Sequence, residues 1–332
     1  MHNFIRPSLI ILLLNLSRYL KLEEEKCIFY EAVWRAEYLQ DDTFKHLVAQ
    51  VCIDIVAALP TIGLNALVIF AVVTRNRLRN NSTILLACLA GADLLTGLIV
   101  LPFAFSLDLK RLLGVGPFCS PEKAFNVIIT MVAFASFSHL VVISIERYIA
   151  IKYALRYQDI VTETWIIISI VLAWAITLTV TINEIVLALI DNENIYPIYS
   201  HVSYIIQIVI GILFSIAILL SYGYIYSETR RQVKRLKAEQ LPQEEVQRIK
   251  NDRTAATTLA IILIALVATY LPTIVLTALS SSIAAPPRFI CIIWSWVGGT
   301  CVLGPLCNPI IYCWRMKNLR RAFLEILHLR KP

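Results

Sequence analysis

The sequence predicts an all-α membrane protein: a bundle of seven transmembrane helices followed by a short amphipathic cytoplasmic eighth helix. Three observations carry that prediction. Of the 332 residues, 58% are hydrophobic and 16% charged, against about 45–50% and about 25% in ordinary soluble domains. Seven apolar runs are each long enough to cross a bilayer, which takes roughly 17–25 residues. Lysine and arginine crowd alternate connections between those runs, which is how membrane topology is written into sequence.

Residues 1–46 form a tail ahead of the first run. Leu9 to Leu14 is apolar but too short to span; as a signal segment it would be degenerate, without a convincing small-residue cleavage site after it. Asn15-Leu16-Ser17 is a glycosylation sequon, and Glu23 to Asp42 carries seven acids, so the tail reads as solvated. The runs follow at about 47–73, 82–107, 122–145, 165–190, 200–226, 254–280 and 288–312. Each is expected to be a helix, because a chain in lipid must satisfy its own backbone hydrogen bonds. The transmembrane domain is thus 47–312, and 313–332 holds the eighth helix and a short tail.

Orientation follows from the basic residues. If the first run enters from outside, the connections 74–81, 146–164 and 227–253 and the end 313–332 are cytoplasmic and hold 20 of the 30 basic residues. The outer loops and their edges hold only Lys110, Arg111, Lys123 and Arg288. This places the N-terminus outside and the C-terminus in the cytoplasm. It also removes nucleic acid as a partner: the net charge of +7 is a topology signal, facing lipid headgroups on the inner leaflet. The eight cysteines are scattered, without the spacing of a metal knuckle or a redox pair. In 227–253, Pro242 separates two helical extensions. Met316 to Leu324 carries a small apolar stripe and a basic face, suited to lie along the inner membrane surface.

Charges at bilayer depth cost roughly 2.5–3.5 kcal/mol each on insertion scales, so each requires a reason. Asp93 lies midway along the second run, Asn65 in the first, Ser136 in the third, and Asn308-Pro309 near the end of the seventh. Singly, an asparagine such as Asn65 or Asn308 is readily explained as interhelical glue worth about 0.6 kcal/mol. Four such residues in four runs argue instead for one polar core around a buried carboxylate. At the foot of the third run, Glu146-Arg147-Tyr148 places an acid beside an arginine. That pair is either a solvated boundary, worth under ~1 kcal/mol, or a switch.

These residues resemble the rhodopsin-like (class A) G-protein-coupled receptors. The likeness rests on Asn65, Leu89 to Asp93, Glu146-Arg147-Tyr148, Trp174, Tyr222, Pro272 and Asn308 to Tyr312, and it covers about 47–325. Within the family, 153–162 is similar to the second inner loop of melanocortin receptors, and Arg147 to Lys152 to that of adenosine receptors. The resemblance implies a plasma-membrane receptor that passes ligand binding to heterotrimeric G proteins. In it Arg147 pairs with Glu146 and reaches Asp252 at the foot of the sixth helix. Agonist swings that helix outward about Pro272, with Tyr270 at the usual tryptophan position, and Arg147, Tyr222 and Tyr312 rearrange to admit the Gα subunit. The family's allosteric sodium ion would lie at Asp93, Ser136 and Asn308, although Gly304-Pro305-Leu306-Cys307 replaces the polar pair that helps hold it.

Other positions depart from the family. Phe214 stands where the fifth helix commonly has proline. Glu122 stands where the outer disulfide cysteine belongs, with Cys119 three residues earlier, and the second outer loop has no cysteine. Cys119 is left to pair with Cys27 or Cys291, or to stay free. Ile129 replaces the aspartate of amine receptors, which argues against a monoamine, and no lysine between Arg288 and Tyr312 offers a retinal Schiff base. The ligand, whether small molecule, lipid or peptide, is unidentified; by position the pocket would involve Asn126, Ile129, Thr130, Glu184, Tyr270, Thr277 and Trp294. For each of these, ordinary helix packing is an equal explanation, and Glu184 would then snorkel to the interface. A transporter or channel is the alternative function. It is disfavoured by the odd number of runs and the lack of internal repeats. No paired-acid or Ser/His constellation suggests an enzyme.

Overall fold

A computed structural model describes residues 41–113, 115, 119–153, 156–190, 195–238 and 287–328, with Gln243, Val246 and Gln247. Most of the tail and the whole sixth run, with Asp252, Tyr270, Pro272 and Thr277, lie outside the described residues.

The first helix, α1 (Asp41–Thr74), begins some residues before the apolar run does. After a single 3₁₀ turn, Asn76–Leu78, the chain enters α2 (Asn81–Leu95) through a capping box. The Asn80 side chain accepts from the Thr83 amide at 3.0 Å, and the Asn80 amide donates to Thr83 Oγ1 at 3.2 Å. A π turn, Thr96–Val100, then leads into α3 (Leu101–Leu113). Pro102 lies just beyond and lacks an amide hydrogen, a common cause of such a local slip in the ladder. Gly97 in that turn allows close approach of α1, since a Cβ there would lie 2.8 Å from the Ile62 side chain.

The third run is α4 (Cys119–Lys152), longer than its apolar stretch, so Glu146 and Arg147 lie within the helix rather than after it. A one-turn helix, α5 (Tyr157–Ile160), crosses the following connection. Thr162 caps α6 (Glu163–Leu189) by accepting from the Trp165 amide at 3.2 Å. The fifth run and the first of the expected extensions are continuous in α7 (Ile195–Ala238). The seventh is α8 (Pro287–Arg315), unbroken across Pro305 and Pro309, and after Met316 comes α9 (Lys317–Ile326). In α9, Leu319, Ala322 and Phe323 are buried while Lys317, Arg320 and Arg321 face out, the apolar stripe and basic face expected of an interfacial helix.

Among the described residues, five stretches are long and apolar enough to cross a membrane: Phe44–Thr74, Asn81–Leu113, Pro121–Lys152, Glu163–Leu189 and Ile198–Arg231. The outward face of α6 is apolar, with Ile167, Val171 and Ile182 about as exposed as each other at 61%, 60% and 59%. Such a surface is intolerable in water and ordinary in lipid. The chain is a multi-pass membrane protein. α4 packs on α6 and α7, while α1 packs on α2, α3 and α8. Near Arg147 one core gathers Leu85, Leu89, Phe137, Ile143, Tyr312 and Phe323. Towards the other end a smaller core joins Ala57, Val100, Leu101 and Val132, with Ile129 against it.

Candidate functional site

Glu146 is fully buried near the foot of α4. Adjacent residues on a helix do not face each other, so the Arg147 side chain must fold back to reach it. It does so with both arms of the guanidinium: Nε donates to Glu146 Oε2 at 2.6 Å and an Nη to Oε1 at 2.5 Å. Two further groups close round the same carboxylate. Ser82, at the start of α2, donates to Oε1 at 3.1 Å and accepts from Arg147, and the Tyr157 hydroxyl of α5 donates to Oε1. Burial, and next the facing Glu146 carboxylate, push the Tyr157 phenol up to about 12, so it is a protonated donor throughout the physiological range. Asn81 ties the end of this connection down by donating to the Val161 carbonyl at 2.7 Å. An open cavity of about 480 Å³ adjoins the pair, lined by Asn80, Ser82, Arg147, Tyr157, Gln158 and Met316 among others.

Tyr148 turns towards α7, its ring centroid 4.9 Å from that of Tyr224, and its hydroxyl accepts from Lys152 at 2.6 Å. Tyr222 is half-buried with its ring beside Tyr226. Tyr312 is fully buried in the apolar core, where its hydroxyl has no hydrogen-bond partner among the described residues. Asp252, expected as the far half of the clasp, lies outside the described residues.

At mid-membrane, Asp93 is fully buried and each of its oxygens accepts one bond. Ser136 Oγ of α4 donates to Oδ1 and Asn308 Nδ2 of α8 to Oδ2, both at 2.8 Å. Asn65 does not join the carboxylate. Its Nδ2 donates to the Thr61 carbonyl at 2.9 Å and to the Pro305 carbonyl at 3.1 Å. The second bond has a clear cause: Pro309 has no N–H to give the carbonyl four residues back, and Asn65 supplies the missing donor. Asp93, Ser136 and Asn308, the three residues at which sodium was expected, are thus brought together.

At the opposite end from Arg147 the structure corrects the expectation for Glu184. It does not snorkel: it is buried on α6, accepting from Ser203 at 3.1 Å and from Gln207 of α7. Asn183 beside it donates to Ser203 at 2.5 Å and accepts from Tyr199 at 2.8 Å, so this polar seam joins α6 to α7. Asn126, Ile129 and Thr130 are half-buried on α4, and Trp294 lies on α8. Sequence reasoning missed the partner of Glu122. Arg111 of α3 bonds both Asp108, three residues before it, and Glu122 of α4; the two acids are buried and the arginine is partly so. Its signal was the coincidence of an acid at the missing-cysteine position with an arginine in the facing turn. Ser82 and Tyr157 were missed as well, since hydroxyl residues near a predicted loop carry no periodic signal.

The family described as "7 transmembrane receptor (rhodopsin family)" matches residues 64–312. The chain belongs to that family. It is similar to the histamine H2 receptor of Homo sapiens, 37% identical over 131 residues, 39% of this chain and 36% of that receptor. It is also similar to the histamine H2 receptor of Canis lupus familiaris, 28% identical over 291 residues, which cover 83% of this chain and 78% of that one. The alpha-1A adrenergic receptor of Mus musculus is 25% identical over 307 residues, 80% and 65% of the two chains. With the first of these relatives the match spans about a third of their length. These relatives are histamine and adrenergic receptors and lend no support to a place beside the melanocortin and adenosine receptors, nor to the transporter alternative.

Proposed function

We propose that this chain is a plasma-membrane receptor that couples an extracellular ligand to heterotrimeric G proteins, with its N-terminus outside and Arg147 at the cytoplasmic face. The observation that supports it best is the Glu146–Arg147 pair, bidentate and capped by Ser82 and Tyr157, in a chain of the rhodopsin family. A boundary ion pair would be left to water, whereas this carboxylate is fully buried and bonded on both oxygens. The pair is a latch: the resting state holds the guanidinium sideways on Glu146, and an active state turns it towards the centre of the bundle. An agonist acts by preferring the second state, and a coupling of about 1–3 kcal/mol is typical of such linkage.

Asp252 would hold the other side of Arg147, and outward movement of the sixth helix about Pro272 and Tyr270 would release it. Tyr222 and Tyr312 would then receive it. The ligand is proposed to be a small molecule, the class for which the relatives are named. The test is cyclic AMP and calcium in cells expressing the tagged chain, screened against nucleosides, amines, lipids and peptides. A ligand-evoked signal lost in Arg147→Ala at equal surface expression is expected. A signal that survives that change, or ion flux independent of G proteins, would sink the proposal.

A further inference from the structure

The end of the bundle that holds Arg147 gathers more guanidinium than carboxylate where α1 meets α9. The connection 74–81 carries Arg75, Arg77 and Arg79 and no acid, and 313–332 holds a single acid, Glu325. Arg77 takes that carboxylate at 2.6 Å, while Arg75 and Arg321 also interact with it electrostatically. Neither Arg75 nor Arg321 forms a salt bridge with a described residue. Arg75 Nε is buried and has no hydrogen-bond partner among the described residues. Three guanidinium groups thus face one carboxylate, with donors to spare for an anion.

Packing, not charge, fixes this arrangement. Leu78 of the 3₁₀ turn and Leu319, Ala322 and Phe323 of α9 are buried in one apolar core. Like charges held together in that way repel, and an anion between them relieves the repulsion. The cluster also opens onto lipid. Phe70 and Val73, within the two turns before Arg75, are exposed apolar residues on a stretch of spanning length. A ligand with an anionic head and an apolar tail covers both surfaces, whereas a free phosphate covers only one. A phosphomonoester head suits the charge, since it carries about 1.5–2 negative charges near neutrality. Planar guanidinium groups bind its oxygens in pairs.

We infer that Arg75, Arg77 and Arg321 form a site for the phosphorylated headgroup of an inositol lipid in the inner leaflet, which competes with Glu325 for Arg77. Basic pockets on the cytoplasmic side of membrane helices take such headgroups on charge alone; here the packed turn and α9 add a fixed geometry. The cytoplasmic placement of this end rests on the receptor reading, but binding in micelles does not.

The test titrates the full chain, purified in detergent micelles at constant ionic strength, with dioctanoyl phosphatidylinositol 4,5-bisphosphate and reads the dissociation constant by thermophoresis. Dioctanoyl phosphatidylserine and soluble inositol trisphosphate are the comparisons. The bisphosphate lipid should bind about tenfold more tightly than either, and Arg75→Gln and Arg321→Gln should each weaken it about tenfold. Arg230→Gln, which removes the same charge from the far end of α7, should leave it unchanged. Glu325→Gln removes the competing carboxylate and should tighten binding several-fold, which a merely structural role would not do. If Arg75→Gln does not fold, Arg321→Gln, at an exposed position, carries the test. Equal binding of phosphatidylserine, or an equal loss in Arg230→Gln, would reduce the cluster to diffuse attraction and overturn the site. Equal binding of inositol trisphosphate would assign it to free phosphate and overturn the lipid. The readout involves no G protein, so its failure leaves coupling through Arg147 standing, and loss of coupling leaves this result standing.

Discussion

The side-chain amide of Asn65 in α1 donates to the carbonyl of Pro305 in α8 at 3.1 Å, and that carbonyl is the one Pro309 leaves without a helical donor. Two residues that read separately as membrane glue and helix breaker are thus one device. Proline opens the α8 ladder, and asparagine closes it from the neighbouring helix. Asn65→Ala should cost about 1–3 kcal/mol, the range for a buried acceptor left unmet. In a Pro309→Ala background the residue 309 amide returns, so the same substitution should cost measurably less. Thermal unfolding of the four proteins in the cycle gives the coupling, and strictly additive losses would refute the pairing.

Tyr157 holds Glu146 in the latched arrangement, and Tyr157→Phe removes one donor without changing shape. A hydrogen bond to a charged group is worth about 1.5–3 kcal/mol when buried, and less here because Tyr157 is only half-buried. Basal signalling should therefore rise several-fold at equal surface expression. Asp252→Asn should act in the same direction if that residue holds the other side of Arg147. Unchanged basal cyclic AMP in Tyr157→Phe would show that the hydroxyl does not bias the latch.

Arg111 ties α3 to α4 through Glu122, the residue at the family's cysteine position. Arg111→Met strands Asp108 and Glu122 in a buried setting, and breaking a buried pair from one side typically costs roughly 3–5 kcal/mol. Surface expression should fall sharply. Cys119→Ser should leave it largely intact, because the tie is already made by charge. The reverse pattern, a tolerant Arg111 and an essential Cys119, would show that a disulfide carries this end instead.

Arg77 donates to Glu325 at 2.6 Å, clipping α9 to the connection after α1. That bond holds the Glu325 carboxyl below its usual range. A depressed folded value means the contribution is fully present above about 4.3, the unfolded carboxyl value, and is lost as pH falls through the lower folded value. A spin-label distance between α9 and the 3₁₀ turn should lengthen only in that acid window, and Glu325→Gln should abolish the pH dependence. Lengthening that begins near neutrality would point to a different group.

Much of the membrane architecture was legible in the chain, because lipid leaves few choices. Apolar runs of spanning length must be helices, and a charge such as Asp93 must find partners at its own depth. Ser136 and Asn308 were therefore expected beside it, and both donate to it. The apolar and basic faces of α9 were readable from period alone. Glu184 was not: an acid near a helix end can snorkel or bond inward, and only the register of α7 against α6 brings Ser203 and Gln207 within reach.

What the sequence by itself determined is the membrane fold, its family and the residues of the buried polar centre, since hydropathy and the energetic cost of buried charge are properties of the chain alone. Tertiary structure decided which donors those charges received. Asn65 turned to a proline-freed carbonyl rather than to Asp93, Tyr157 and Ser82 closed on Glu146, and Arg111 joined Asp108 to Glu122. Each depends on the rotation and depth of one helix against another, where about an ångström decides between a bond and none, and no periodic pattern in the chain encodes that distance.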